Sequence, residues 1–277
     1  GPAMTAAPTT IRLFRFALHL WMLGFLLSVL PVLDVLYIEP LSPRWVPPGP
    51  FARITHTIGA ASMAMASPVM VAVGIVLALV GLFRRSGVIA ALVLWWVQIN
   101  LMGQAWLAGS GGQQLMAVVL FWNIGLSVAE GSPGSWRNWL RTLSFWMIRS
   151  QLVLAYAVTA VHKLTGVLWP SGDAIGVVLT DEAFAPSLVA NWPVLCHLVT
   201  WAVLVLQCTI PFALWWRRTR VAWLLAAMAF HLATALWLDI PEMGFAFCVV
   251  LLIQLSEAEG QWIMNRLGQA RGTPSLP

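Results

Sequence analysis

Charge is what this chain has least of: only 9% of its 277 residues are Asp, Glu, Lys or Arg, where a soluble domain carries about 25%. That scarcity excludes a disordered segment and an ordinary soluble enzyme. Cysteine is also scarce. Cys196, Cys208 and Cys248 are three in number, form no CxxC pair and all sit in apolar stretches, so neither a disulfide framework nor a zinc site is indicated, and they read as packing residues. No internal repeat and no low-complexity segment is present. Lysine is nearly absent: fourteen of the fifteen basic residues are arginine and the remaining one is Lys163.

What is abundant is apolar surface. Sixty per cent of the residues are hydrophobic, seventeen are Trp, and the mean hydropathy is +0.83. A helical span takes about 20 apolar residues, so the composition predicts a polytopic, all-α transmembrane bundle in one domain over residues 1–277. Apolar runs bounded by charge or by Pro and Gly clusters predict eight spans, over 16–36, 66–83, 88–108, 113–128, 145–169, 193–216, 221–238 and 243–255. Gly1 and Pro2 read as a protease-cleavage scar, and the apolar run after Arg15 as a retained first span rather than a signal peptide, since it lacks a small-residue cleavage site.

The arginines orient the spans. Numbering the sides alternately places twelve on the side of the N-terminus: Arg12, Arg15, Arg84, Arg85, Arg137, Arg141, Arg149, Arg217, Arg218, Arg220, Arg266 and Arg271. Only Arg44 and Arg53 lie opposite, with Asp34, Glu39, Asp173, Asp181, Glu182, Asp239 and Glu242. This asymmetry predicts a cytoplasmic-membrane protein with both termini inside, and it accounts for the net charge of +5 without nucleic acid as a partner. Two longer outer loops are expected, a proline-rich one over 38–65 with an interfacial helix after Phe51 and an acidic one over 170–191. Residues 257–277 form a cytoplasmic tail with an interfacial pattern around Trp262, Ile263, Arg266 and Leu267. The Trp residues otherwise suit interface belts.

An ionisable group within a span is costly, which makes each one a functional candidate. Lys163 is the sharpest. Unlike arginine, a desolvated lysine can hold a lone pair near neutral pH and act as a base. Tyr156, Thr159 and Lys163, spaced by three and four, share one helical stripe, and Gly166 continues it without a side chain. His162 lies about 100° around the helix. His231, Asn100, Gln104, His197 and Asn123 fall at similar depths on other spans, from the outer half to mid-membrane. Together they predict an outward-facing pocket. Snorkelling of Lys163 to the headgroups beside Trp169, and structural interhelical hydrogen bonds for the histidines and amides, are the plainer alternatives. His19 and His56 read as structural. No His/carboxylate pair has metal-ligand spacing, so no metal is expected.

The stretch Tyr156-Ala-Val-Thr-Ala-Val-His162-Lys163-Leu164, followed by Trp169 and Gly172, resembles the lysine-bearing helix of the horizontally transferred transmembrane domain. That is the membrane domain of vitamin K-dependent gamma-glutamyl carboxylases and their bacterial relatives. Gly111-Gly112-Gln113-Gln114-Leu115 leading to Phe121-Trp122, and Ala229-Phe230-His231-Leu232, agree with it. The resemblance implies that Lys163 is the base that deprotonates a reduced vitamin K or menaquinol-type quinol, with O2 and CO2 as co-substrates. Quinol epoxidation would be coupled to carboxylation of a glutamate in a peptide or protein on the outer side. His231 and His162 join Lys163 as catalytic candidates, and Asn100, Gln104, Asn123, Tyr156, Thr159, His197 and Trp169 as quinone-binding ones. The family's carboxylases often carry two adjacent lysines, where this chain has His162 then Lys163, and a large soluble region that is not found here. The quinol half-reaction is therefore the better supported half. The competing expectation is a non-enzymatic membrane protein that binds or assembles a lipid or peptide. A transporter is disfavoured, since no inverted repeat or broken pair of spans is evident.

Overall fold

A computed structural model describes residues 8–38, 67–84, 87–128, 134–181, 192–216 and 218–270. The helices are α1 (Pro8–Val29), α2 (Ser67–Phe83), α3 (Val88–Gln104), α4 (Gly111–Val128), α5 (Ser135–Thr165), α6 (Leu168–Ser171), α7 (Ala174–Leu179), α8 (Pro193–Ala213), α9 (Arg220–Trp237), α10 (Pro241–Leu251) and α11 (Glu257–Ala270). No strand occurs among the described residues. The proline-rich outer loop, with Arg44, Arg53, His56 and the helix expected after Phe51, lies outside the described residues. So do Glu182 and the rest of its loop to residue 191.

Each of the eight apolar runs carries a helix, though the fifth, over 145–169, breaks at residues 166 and 167 between α5 and α6. Among the described residues, five helical stretches are long and apolar enough to cross a membrane: Pro8–Val32, Gly111–Val128, Ser135–Thr165, Pro193–Ala213 and Arg220–Trp237. Pro241–Gln254 with Glu257–Arg266, bent by 117°, is a sixth if the pair counts as one span. Ser67–Phe83 and Val88–Gln104 are apolar but shorter, at 17 residues each.

Helix ends differ from the apolar boundaries in an instructive way. The fifth run starts at residue 145, whereas α5 begins ten residues earlier, at Ser135. Its first turns carry Trp136, Arg137, Trp139 and Arg141, which suit a headgroup region but do not interrupt a helix. Hydropathy marks where hydrocarbon ends; only Gly, Pro or a cap marks where helix ends. Similarly α1 begins at Pro8 and includes Arg12 and Arg15.

The chain divides into two compact units, 1–147 with 256–277, and 148–255. In the first, α1 packs on α2 and on α11, and α3 pairs with α4. The buried face of α1 carries Phe14, Leu18, Met22 and Leu26 at four-residue spacing. Gly81 lies so close to the His19 ring that a β-carbon there would overlap it. That is the small-residue contact by which membrane helices approach without a hydrophobic driving force. The start of α11 is a capping box: Ser256 N donates to Glu259 Oε2 at 2.7 Å, and Glu259 N to Ser256 Oγ at 3.3 Å. Glu257 Oε2 in turn accepts from the first amides of α1, Thr9 N at 2.8 Å and Thr10 N at 3.4 Å.

In the second unit, α9 packs on α10 and on α8, and α7 and α6 rest on α8. The part of α5 belonging to it buries Ile148, Leu152, Tyr156 and Ala160, one residue per turn.

Candidate functional site

The second unit brings together three of the expected residues. On α5, the stripe that buries Leu152 and Ala160 also buries Tyr156, which is 1% exposed. On α9, His231 lies on the face that buries Ala227 and Ala235 and is 3% exposed. The Tyr156 hydroxyl and His231 Nε2 are 2.6 Å apart, a short hydrogen bond between two buried groups. His231 Nδ1 is also buried and has no hydrogen-bond partner among the described residues.

The surroundings are aromatic. The His231 ring stacks on Phe247 at 4.3 Å and 9°, with Phe230 edge-on at 4.7 Å. Tyr156 meets Phe247 edge-on at 5.7 Å. Close approach of α10 permits this. A β-carbon on Gly244 would fall 2.7 Å from Ala235 Cβ and against the His231 carbonyl oxygen, so only glycine lets Phe247 reach the imidazole.

Lys163 follows the buried stripe by less than one turn and is half-buried. Its Nζ sits 3.9 Å from the centroid of the Trp169 ring, a cation–π contact. Thr159 is half-buried, and its hydroxyl donates to the Ala155 carbonyl at 2.7 Å. His162 is exposed, on a different face of α5 from Tyr156, and its carbonyl accepts from the Thr165 hydroxyl at 3.2 Å.

His197 takes another partner. Its Nε2 lies 2.9 Å from Asp173 Oδ1, and Asp173 Oδ2 accepts from the Ser171 hydroxyl at 2.6 Å. The Ser171 bond, and then His197, hold the Asp173 carboxyl below its ordinary range. Thr200 and Gln207, which follow His197 on α8, are buried.

Asn100, Gln104 and Asn123 belong to the first unit. Asn100 Nδ2 donates to the Trp96 carbonyl of its own helix at 2.7 Å, and Gln104 Oε1 accepts from the Ser67 hydroxyl at 3.0 Å. Gln98 Nε2 donates to the Gln113 carbonyl at 3.5 Å, which sets the register of α3 against α4. Asn123 lies ten residues, ~15 Å, further along α4 than Gln113, so it does not share a level with Asn100 and Gln104. It is fully buried, and neither side-chain polar atom has a partner among the described residues.

Several contributors carry no polar signature and could not be found from polarity. Phe247 and Gly244 belong to a run that reads only as apolar. Asp173 stood in a cluster of acidic loop residues, and only the fold selects it for His197. Arg15, counted among the arginines on the side of the N-terminus, is buried: its guanidinium donates to Ser127 Oγ at 3.0 Å, and Ser127 to the Asn123 carbonyl at 2.9 Å.

In comparisons with family models, curated proteins and solved structures, nothing matches the chain. The functional reading therefore rests on the residues themselves.

Proposed function

We propose that the chain is an integral membrane enzyme acting on a quinol, with Lys163 as base and the Tyr156–His231 pair as its hydrogen-bonding partner. The reading takes the eight apolar helices as spans of a bacterial cytoplasmic membrane, both termini inside and the Lys163 end of α5 outward. One observation carries it: the chain's only lysine stands on the stripe of α5 that also carries Tyr156, whose hydroxyl meets the buried His231 at 2.6 Å. His231 Nδ1 supports the fit, because a buried ring nitrogen with no partner among the described residues costs free energy until something bonds it. A quinol hydroxyl is such a partner, and Phe247 and Phe230 supply an apolar surround.

In this reading a neutral Lys163 amine accepts the proton of a hydroxyl, and the resulting ammonium faces the phenolate it has made. Tyr156 fixes the imidazole by bonding Nε2, which leaves Nδ1 to orient the second oxygen. When bound, the reduced vitamin K or menaquinol-type quinol supplies, with O2, the oxygenation chemistry that the resemblance implies, and with CO2 the coupled carboxylation of a glutamate on a peptide or protein.

The test is quinol oxidation and epoxide formation by wild type, Lys163→Ala and Lys163→Arg. Loss of a general base costs about 10²–10⁴-fold, and both variants are expected to show it. Full activity in both overturns the assignment. A non-enzymatic binding or assembly role is favoured by one observation, the engagement of the Lys163 ammonium by Trp169. Mass spectrometry of lipid co-purifying with the protein separates the two: a menaquinone or its epoxide supports the enzyme, and its absence with another bound lipid supports the scaffold.

A further inference from the structure

The Lys163–Trp169 contact is made by a segment that could lift away. α5 stops at Thr165, two residues intervene, and Trp169 stands on the four-residue α6. Gly166 precedes this segment and Gly172 ends it at φ 92°, a conformation suited to glycine. Val167, in between, is 83% exposed, so few contacts along the segment itself hold it down.

Most of its anchoring comes from α8. Trp201 Nε1 donates to the Pro170 carbonyl at 3.2 Å, and the Trp201 ring lies against the side-chain-free face of Gly172. Asp173 Oδ1 meets His197 Nε2 at 2.9 Å, and the Ile175 amide donates to Thr200 Oγ1 at 3.1 Å. The Trp201–Pro170 and Asp173–His197 bonds are at partly exposed groups and can break and reform.

The chemistry of the covered atom says what would replace the cover. An ammonium on an indole face is attracted by the ring quadrupole, and Trp is the strongest such partner. While Trp169 sits there, one approach to Nζ is closed to any other ring. A ligand that takes the place at no net loss must offer a planar π face of similar size. One that also carries a hydroxyl adds an acidic proton within reach of the amine.

We propose that Trp169 is a displaceable aromatic cover over Lys163, held by Trp201 and by the Asp173–His197 pair, and that its seat is taken by a planar aromatic ring bearing a hydroxyl. The ligand half of this proposal rests on the quinol reading above, whereas the cover does not. Trp169 is then a positioning residue that sets access to the base.

Because Lys163 is the only lysine of the 277 residues, an amine-reactive acetylating reagent reports on it alone once peptide mapping has set the α-amino group apart as internal reference. The full chain in lipid nanodiscs would be labelled as wild type, Trp169→Ala, Trp169→Phe and His197→Ala, with and without menadiol. Trp169→Ala is expected to label about threefold faster or more, the factor set by a partly exposed cation–π contact. Trp169→Phe, which keeps a ring, is expected to stay near wild type, and His197→Ala to fall between. Menadiol is expected to slow labelling of wild type and of Trp169→Ala. Equal rates in wild type, Trp169→Ala and His197→Ala overturn the cover even if menadiol protects, and that result leaves the quinol reading standing. Faster labelling of Trp169→Ala with no protection by menadiol overturns the assigned ligand and, with it, the quinol reading.

Discussion

The Tyr156 hydroxyl and the His231 Nε2 lie 2.6 Å apart, joining α5 to α9 where both residues are buried. Neither group has water to fall back on, so the bond matters less for what it adds than for what its loss leaves behind. Tyr156→Phe strands Nε2 in an apolar surround and is expected to destabilise the protein by about 1–3 kcal/mol. Thermal unfolding in detergent measures it. In the double variant Tyr156→Phe/His231→Phe, with no polar group left unsatisfied, most of the loss should be recovered. Additive losses would show that the two residues act independently.

Gly244 is the complementary steric case. The place a β-carbon would take there is occupied by the His231 carbonyl and Ala235, both backbone or rigid, so nothing nearby can yield. Gly244→Ala should destabilise by about 1–3 kcal/mol, the usual cost of overpacking. Gly24, inside α1 with nothing within 4 Å of a built β-carbon, predicts the opposite sign: Gly24→Ala should be neutral or stabilise by up to about 1 kcal/mol, the helix-propensity difference. A pair of melting curves decides both.

Glu257 caps the first turn of α1. Partial burial pushes its carboxyl up, but bonds from Thr9, Gln261 and Thr10 more than offset this, so it sits below its ordinary value of 4.5. A depressed carboxyl contributes stability at pH above the ordinary value, and that contribution fades as pH falls through the folded-state value. The melting temperature of wild type should therefore drop on acidification below about pH 4.5 by more than that of Glu257→Gln. At neutral pH, Glu257→Ala should cost about 1 kcal/mol, as lost helix caps do. Equal acid sensitivity in wild type and Glu257→Gln would remove Glu257 from the account.

Asn123 offers a stabilising change. Fully buried, with both side-chain polar atoms lacking partners among the described residues, it bears a desolvation cost that a similarly shaped apolar residue avoids. Asn123→Leu is expected to raise the melting temperature. A fall would mean that the amide bonds something in the membrane, such as an ordered water or a ligand group.

Much of the helical architecture was legible because its causes are local. A run of apolar residues dictates a helix in hydrocarbon, where every backbone polar group must be satisfied within the segment, and each of the eight runs carries a helix. Their ends were less legible. The start of α5 at Ser135 and that of α1 at Pro8 depend on helix continuing into polar surroundings, about which hydropathy is silent. Among site residues, the shared stripe of Tyr156 and Lys163 on α5 and the place of His231 on a span-length helix were readable from the helical period and the apolar runs alone.

What the sequence determined by itself, then, is that this is an all-helical chain with helices fit for a membrane, and that its only lysine and a few polar groups lie on otherwise apolar helices. Only the tertiary structure decided the pairings: Tyr156 with His231, Lys163 with Trp169, His197 with Asp173, and Arg15 with Ser127 in a buried site. The reason is physical. Periodicity specifies which face of one helix a residue occupies, whereas partnership depends on the register and rotation of a second helix, set by close contacts such as Gly244 against Ala235, which leave no trace in polarity or spacing.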